Sequence, residues 1–423
     1  MPAQAPGIGR RLVLTIENKF YHQLTMQQAV LHHFPTQQVT YRFTNRSKDT
    51  LFTQSCVDRF TEYVHDLATL RLTSEERTWL SERLSYFKEP YLDYLSNFRF
   101  NPSDVDIQFI PAKPLSPGGE MGGELKISVQ GVWSEAIMWE VPLMAALSQA
   151  YYETVDLDWS NEGQEENAYN KAKLLLENDA IFSEFGTRRR RAFSSHDLVV
   201  QGLKRAAYEL NGKTKGKLNG TSNAAFKHGL SPIGTIAHEW FMGIAALKGY
   251  ENSNGLALSL WEEVYGNTGL VALTDTFSTE VFFRDFVKDK ERANRWQALR
   301  QDSGDPFVFA PRAKEVYESL GLDHTNKIIV YSDGLSVDKA LELKKHCESV
   351  GFIPSFGIGT NMTNDFRTLS SGGKVRSKPL NIVIKLATID GHQCVKISDE
   401  LTKNTGQPET VDYVKRTLAI KVP

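Results

Sequence analysis

The sequence predicts an α/β fold centred on a β/α barrel, and three observations carry the prediction. From about residue 165 the chain repeats one unit: a short, nearly continuous apolar run, a polar loop bearing glycine or aspartate, and a helical pattern. Such runs alternating with helices indicate a parallel sheet covered by helices. The polar residues fall at the carboxyl end of run after run, where a β/α barrel carries its site. An open doubly wound sheet is the alternative, because spacing alone does not show closure. The third observation is period-two alternation within residues 105–147, followed by an apolar helix, which places a separate α+β unit ahead of the barrel.

Residues 1–24 are unusual, with a Pro/Ala/Gly start and then Arg10-Arg11-Leu12-Val13-Leu14. A helix is expected over 25–34 and a strand over 38–43, and residues 57–100 read as helices rich in Tyr, Leu and Arg. Strands follow at 107–110 and 125–129, separated by the Pro117-Gly118-Gly119 turn, with a helix around 142–147. A helix over 168–177 leads to the run Ala180-Ile181-Phe182. Later runs end at His238, Asp275, Asp302, Asp333 and the segment 357–361. The tail reads as strands at 381–386 and 395–397 after a mobile 370–374 loop, and is expected to rejoin the first unit. The expected division is therefore an amino-terminal unit over 1–150, completed by about 376–423, and a barrel over 151–375.

Composition narrows the function. A net charge of −2 argues against a nucleic-acid binder that relies on bulk charge. Cys56, Cys347 and Cys394 lie far apart and form neither a disulfide framework nor a zinc pattern. No stretch approaches the ~18 apolar residues of a membrane helix, and the amino terminus lacks an apolar signal core. A soluble cytoplasmic protein is expected, with the nucleus as a second compartment.

Against that neutral background, Phe185-Gly186-Thr187 runs into four consecutive arginines, Arg188 to Arg191. Arginine presents a planar fork suited to carboxylate and phosphate, and a ring beside it offers a stacking surface. A solvated basic patch would account for the arginines alone. Other matches fail: after His238-Glu239, Met242 stands where a zincin needs its second histidine, and Leu218 replaces the Ser/Thr of a Walker loop. Gly357-Ile358-Gly359-Thr360-Asn361 lacks the third glycine of a dinucleotide fingerprint, but glycine-freed N–H groups there make a phosphate cradle. Asp275, Asp302 and Asp333 offer carboxylates for magnesium or ribose hydroxyls, although a loop aspartate is commonly a cap. Arg300 offers a cation for an acidic ligand, and His238 closes an apolar run. Together these describe a sugar-phosphate transfer site.

In this order the motifs resemble those of nicotinate phosphoribosyltransferases of the fungal and bacterial kind. The resemblance runs from about Leu24 to about Pro408. It rests on Ser183 to Arg191, Gly220-Thr221-Ser222-Asn223, Gly234-Thr235-Ile236-Ala237-His238-Glu239-Trp240, Leu273-Thr274-Asp275-Thr276-Phe277, Arg300 to Pro306, Tyr331-Ser332-Asp333 and Phe356 to Asn361. It implies a type II phosphoribosyltransferase fold, an irregular α/β barrel with a smaller α/β sandwich built by both chain ends. The implied reaction joins nicotinate to phosphoribosyl pyrophosphate, with ATP hydrolysed as co-substrate and Mg2+ as cofactor, in NAD salvage.

Residue by residue, the resemblance implies that Phe185 stacks on the pyridine ring while Thr235 and Arg300 engage nicotinate. Arg188 would hold anionic groups, Asp333 would lie near the ribose, and Gly357, Gly359, Thr360 and Asn361 would bind the 5-phosphate. Asp275 and Asp302 would stabilise the developing ribosyl cation and help position magnesium, with no direct metal ligand assigned. His238 matches the family's phosphohistidine. Ser222 stands where nicotinamide-using relatives carry an aspartate that would repel nicotinate. A homodimer is implied, with Tyr21 or its neighbour His22 covering the partner's pyridine ring. The residues before Leu24 depart from the family's Asp-Thr-Asp-x-Tyr-Lys start, so a catalytically weak paralogue stands beside the leading reading, as does a sister enzyme acting on nicotinamide or quinolinate.

Overall fold

The structure is a computed structural model and describes residues 21–47, 49–115, 117–220, 222–234, 236–400 and 404–420, without the side chains of 21, 22 and 222–224. Four strands come from the first 150 residues: β1 (Gln38–Asn45), β2 (Phe52–Thr53), β3 (Val105–Pro114) and β4 (Met121–Val132). Seven follow: β5 (Ile181–Glu184), β6 (Lys217–Gly220), β7 (Ser231–Pro232), β8 (Val271–Leu273), β9 (Ala298–Gln301), β10 (Ile328–Tyr331) and β11 (Ile353–Ile358). Two close the series, β12 (Ile382–Ile389) and β13 (His392–Gln393).

The alternation read in the sequence becomes an antiparallel sheet in the order β13-β12-β1-β4-β2, with β3 also on β4. Leu125, Ile127 and Val129 on β4 all point into the core, as period two requires. β12 pairs antiparallel with β1 from Asn45↔Ile382 to Val39↔Ile389, so both ends of the chain build one sheet. The second sheet is wholly parallel, in the order β7-β6-β5-β11-β10-β9-β8. That is the cyclic order of a barrel, with β11 brought onto β5 where Phe356 faces Phe182.

The fold class is therefore the expected α/β barrel with a sandwich beside it, and not a doubly wound sheet. The barrel is a curled half: among the described residues no pairing joins β7 to β8. β7 is two residues long, and the helices His238–Lys248 and Ser253–Tyr265 enter between it and β8. Trp240 from the first of these packs against Trp133 and Phe34 at centroid distances of 6.2 and 5.9 Å, which ties the half-barrel to the sandwich. Gly243 one turn on permits that approach, since a Cβ there would lie 2.5 Å from Trp133.

Three local expectations differ from the structure. His238 opens a helix instead of ending a strand, because only Ser231–Pro232 of the preceding run pairs in the sheet. The 395–397 segment forms isolated bridges, Phe277↔Ile397 and Lys396↔Thr405, in place of a strand. The 370–374 loop is anchored, with the Ser370 N–H and hydroxyl both donating to the Asp158 carboxylate at 2.7 and 2.5 Å. No described helix is long and apolar enough to cross a membrane.

Candidate active site at the carboxyl rim of the parallel strands

The carboxyl ends of the parallel strands meet one face of the antiparallel sheet around a cavity of about 740 Å3. The turn after β5 brings Phe185, Arg188 and Arg189 to its wall, and the helix His238–Lys248 brings His238 and Glu239. β9 contributes Arg300 with Asp302 just beyond it, the loop after β10 contributes Ser332 and Asp333, and β11 with its turn contributes Gly357, Gly359, Thr360 and Asn361. The antiparallel sheet supplies Arg46 and Lys385, and Lys396 follows from the carboxyl-terminal segment. Asp275 is fully buried behind this wall. Thr235 and the side chains of Tyr21 and Ser222 lie outside the described residues.

Phe185 sits directly on Gly357. A Cβ at Gly357 would meet two ring carbons of Phe185 at 2.7 Å, so only glycine lets the ring lie there. The Phe185 N–H donates to the Ile358 carbonyl at 2.9 Å and fixes the backbone beneath the ring. The arginine run divides after its first two members, because the chain makes a single 3-10 turn over Thr187–Arg189. Arg188 and Arg189 line the cavity, whereas Arg190 and Arg191 are wholly buried. The Arg191 guanidinium lies 4.2 Å from the Tyr152 ring and 4.3 Å from that of Phe366, and donates to Asn364 and Ser377 at 2.8 and 2.6 Å. Its role is structural.

His238 is the centre of the polar network. Its Nε2 lies 2.8 Å from the Lys396 ammonium, 3.1 Å from Asp302 Oδ2 and 3.8 Å from Asp275 Oδ1. Its Nδ1 faces the Thr276 hydroxyl at 3.1 Å. Burial, reinforced by the Lys396 charge, lowers the imidazole to about 4 and outweighs both carboxylates, so the ring is neutral near pH 7. An ammonium has no lone pair and can only donate, so Nε2 accepts from Lys396 and the ring proton sits on Nδ1, toward Thr276. Asp302 is pushed upward by burial, yet the positive charges of Arg300 and Lys396 oppose that, and it lies well below the usual carboxylate range. The Ser332 hydroxyl accepts from Arg300 Nε at 2.9 Å and donates to Asp302 Oδ1 at 2.7 Å, locking the two together.

A second charged group faces the rim from the sandwich. Burial lowers the Lys385 ammonium to about 7, with Lys396, Arg46 and Arg188 adding repulsion. Glu140 is raised by burial although Arg188 stands 3.5 Å away. Burial raises Glu239 to about 8, and it accepts from Trp133 Nε1 at 2.6 Å and from the Tyr41 hydroxyl. Sequence reasoning missed Lys396, Lys385, Arg46, Thr276 and Ser332. A lone cation inside the apolar run Ile382-Val383-Ile384-Lys385-Leu386 was the available signal for Lys385, and the Tyr331-Ser332-Asp333 motif for Ser332.

Residues 181–421 match the sequence model of the nicotinate phosphoribosyltransferase (NAPRTase) family, and residues 17–148 match that of its N-terminal domain. The chain belongs to the nicotinate phosphoribosyltransferase family. It is 40% identical over 415 residues to a "Probable nicotinate phosphoribosyltransferase" of Schizosaccharomyces pombe, covering 97% of this chain and 98% of that protein. It is 41% identical over 409 residues to a "Nicotinate phosphoribosyltransferase" of Saccharomyces cerevisiae, covering 94% of this chain and 93% of the relative. The crystal structure of a putative nicotinate phosphoribosyltransferase from Saccharomyces cerevisiae superposes with a TM-score of 0.92 at 38% identity, covering 98% of this chain and 100% of the other. That of the Porphyromonas gingivalis nicotinate phosphoribosyltransferase gives 0.85 at 35% identity, covering 97% and 100%. The family's N-terminal model begins at residue 17, ahead of Leu24, where the motif agreement begins.

Proposed function

We propose that this chain transfers the phosphoribosyl group of phosphoribosyl pyrophosphate to nicotinate, with ATP hydrolysed alongside, giving nicotinate mononucleotide and pyrophosphate. The observation that carries the reading is one cavity holding a ring platform, a cation for a carboxylate, a wall of further cations and a neutral imidazole. Phe185 on Gly357 offers its face to a flat heteroaromatic, and Arg300, held by Ser332, offers a charged fork to an acid. Arg46, Arg188 and Lys385 suit a polyphosphate. As the bond from C1 to the pyrophosphate oxygen breaks, that oxygen takes the electron pair and C1 becomes cationic. The Asp302 carboxylate, kept ionised by Arg300, faces that charge, and the pyridine nitrogen then attacks C1.

His238 is the proposed carrier of the ATP γ-phosphate, since it lines the cavity as a neutral ring with Nε2 as its unprotonated nitrogen. The added charge would alter affinity for substrates and products, and couplings of ~1–3 kcal/mol shift binding some 5–150-fold. The site also suits Mg2+: ligand atoms of His238, Asp275 and Asp302 lie within 4.8 Å of one another, and the buried Asp275 Oδ1 has no hydrogen-bond partner. Asp275 and Asp302 would hold the ion, which when bound neutralises charge on the polyphosphate. The reading includes a homodimer in which Tyr21 of one subunit covers the pyridine ring bound to the other, and a cytoplasmic location.

A substrate panel tests it. With phosphoribosyl pyrophosphate and ATP present, labelled nicotinate should be converted faster than nicotinamide, because Arg300 favours a carboxylate over a neutral amide; quinolinate is run beside them. Faster conversion of nicotinamide would assign the chain to the sister activity. Turnover far below that of the fungal relatives would favour the weak paralogue.

A further inference from the structure

We propose that Lys396 is a catalytic residue of the phosphorylation step: its ammonium caps the Nε2 lone pair of His238 at rest and transfers to the phosphoryl oxygens as the Nε2–P bond forms. The inference rests on the reading of His238 as phosphate carrier and deepens it.

The resting contact is the starting point. Lys396 Nζ lies 2.8 Å from Nε2 and 3.3 Å from Asp275 Oδ2, and the side chain is 4% exposed. A nucleophilic nitrogen must present its lone pair to phosphorus, and here that lone pair is occupied by a donor. The backbone cannot withdraw the lysine. The Ile397 N–H donates to the Thr276 carbonyl at 2.8 Å, the Ser278 N–H donates to the Ile397 carbonyl at 2.7 Å, and Lys396 exchanges two 3.0 Å bonds with Thr405. The segment carrying Lys396 is thus laced to the segment carrying Asp275 and Thr276. Only the flexible four-carbon stem can move, and its charged end stays among the same groups throughout.

The step balances without another co-reactant. The Nε2 electron pair forms the bond to the γ-phosphorus, the bond from that phosphorus to the β,γ-bridging oxygen breaks, and ADP leaves with the electron pair. The Nδ1 proton remains on the ring, facing Thr276. The product ring is an imidazolium, and Asp302 Oδ2 at 3.1 Å and Asp275 Oδ1 at 3.8 Å face it. Those oxygens oppose a bare lone pair at rest; after transfer they attract the imidazolium charge but stand beside phosphoryl oxygens of like sign, which the Lys396 ammonium neutralises. Displaced from Nε2, the ammonium finds the phosphoryl oxygens attached to the atom it has just left, so charge neutralisation follows the group being transferred.

The test measures covalent labelling of the full chain by ATP labelled on its γ-phosphate, read as acid-labile, base-stable protein phosphate. ATP-independent conversion of nicotinate in the same preparation is the reference. In Lys396→Met the rate of labelling should fall at least tenfold more than the reference activity. Lys396→Gln, which can still hydrogen-bond Asp275, should give the same split. A structural role, or a partly unfolded preparation, lowers both rates by one factor, and an equal fall in the two variants overturns the proposal. His238→Asn should take no label. If the unsubstituted protein takes none, the carrier role of His238 fails and this inference with it; if it is labelled and Lys396→Met is labelled as fast, only the inference fails.

Discussion

Replacing Gly357 by alanine probes the ring platform without touching a charged group. The new Cβ would stand 2.7 Å from two carbons of the Phe185 ring, against about 3.5–4.0 Å for an ordinary carbon contact. One of the two must retreat by about 1 Å. The Phe185 backbone is held by its bond to Ile358, and its carbonyl is already close to Gly359, where a Cβ would approach to 3.1 Å. The ring therefore turns away, and its face no longer lies parallel to a bound pyridine. An aromatic pair contributes about 0.5–1.5 kcal/mol beyond area burial, so KM for nicotinate should rise about 2- to 12-fold at 1.4 kcal/mol per decade. Overpacking costs about 1–3 kcal/mol more, part of it seen as a lower melting temperature. The assay is initial rate against nicotinate at saturating phosphoribosyl pyrophosphate, and then the converse. An unchanged KM for nicotinate, or a larger rise in KM for phosphoribosyl pyrophosphate, would refute the seat assigned to Gly357.

Other predictions concern the network around it. His238 has a native value near 4 against 6.5 unfolded, so between those limits the unfolded chain binds the extra proton and stability rises with pH, by about 1.4 kcal/mol per unit from this group. Urea midpoints at pH 5 and pH 7 should therefore lie closer together in His238→Asn than in the unsubstituted protein; an equal gap contradicts the depressed value. Ser332→Ala removes the hydroxyl that bridges Arg300 Nε and Asp302 Oδ1, leaving the pair only its direct 3.3 Å contact, and should lower kcat/KM for nicotinate on the order of tenfold, with little change in melting temperature. A normal kcat/KM would show that Ser332 positions neither. Arg191→Met leaves Asn364 and Ser377 without their buried partner and should reduce stability by about 1–3 kcal/mol, while KM for nicotinate of the folded protein holds. A selective rise in that KM would move Arg191 from the core to the site.

Much of the architecture was legible because local patterning and topology agree. Continuous apolar runs such as Ile328–Tyr331 can only be buried on both faces, and alternating ones such as Leu125-Lys126-Ile127 on one, so parallel and antiparallel sheets separate on the page. The opening between β7 and β8 was not legible, because it depends on where two inserted helices pack and not on any residue of the strands. Nor was the division of the arginine run. Four identical residues carry no local sign of which two meet the cavity, and burial of Arg191 is decided by Tyr152 and Phe366, each far away in sequence. Lys396 was hidden for the same reason: it meets His238 from 158 positions away, through a bridge to Phe277 that no periodicity announces. Side chains on the carboxyl ends of strands were easier, since the strand itself aims them at the rim.

The most direct test of the central claim, that one rim holds a flat acid, a pentose phosphate and a phosphorylatable imidazole together, is the rate of labelled-nicotinate conversion with and without ATP, in the unsubstituted protein and in His238→Ala. The account predicts conversion in both proteins, accelerated by ATP only where the imidazole is present. ATP stimulation that survives in His238→Ala, or no conversion of nicotinate by the unsubstituted chain under either condition, would contradict it.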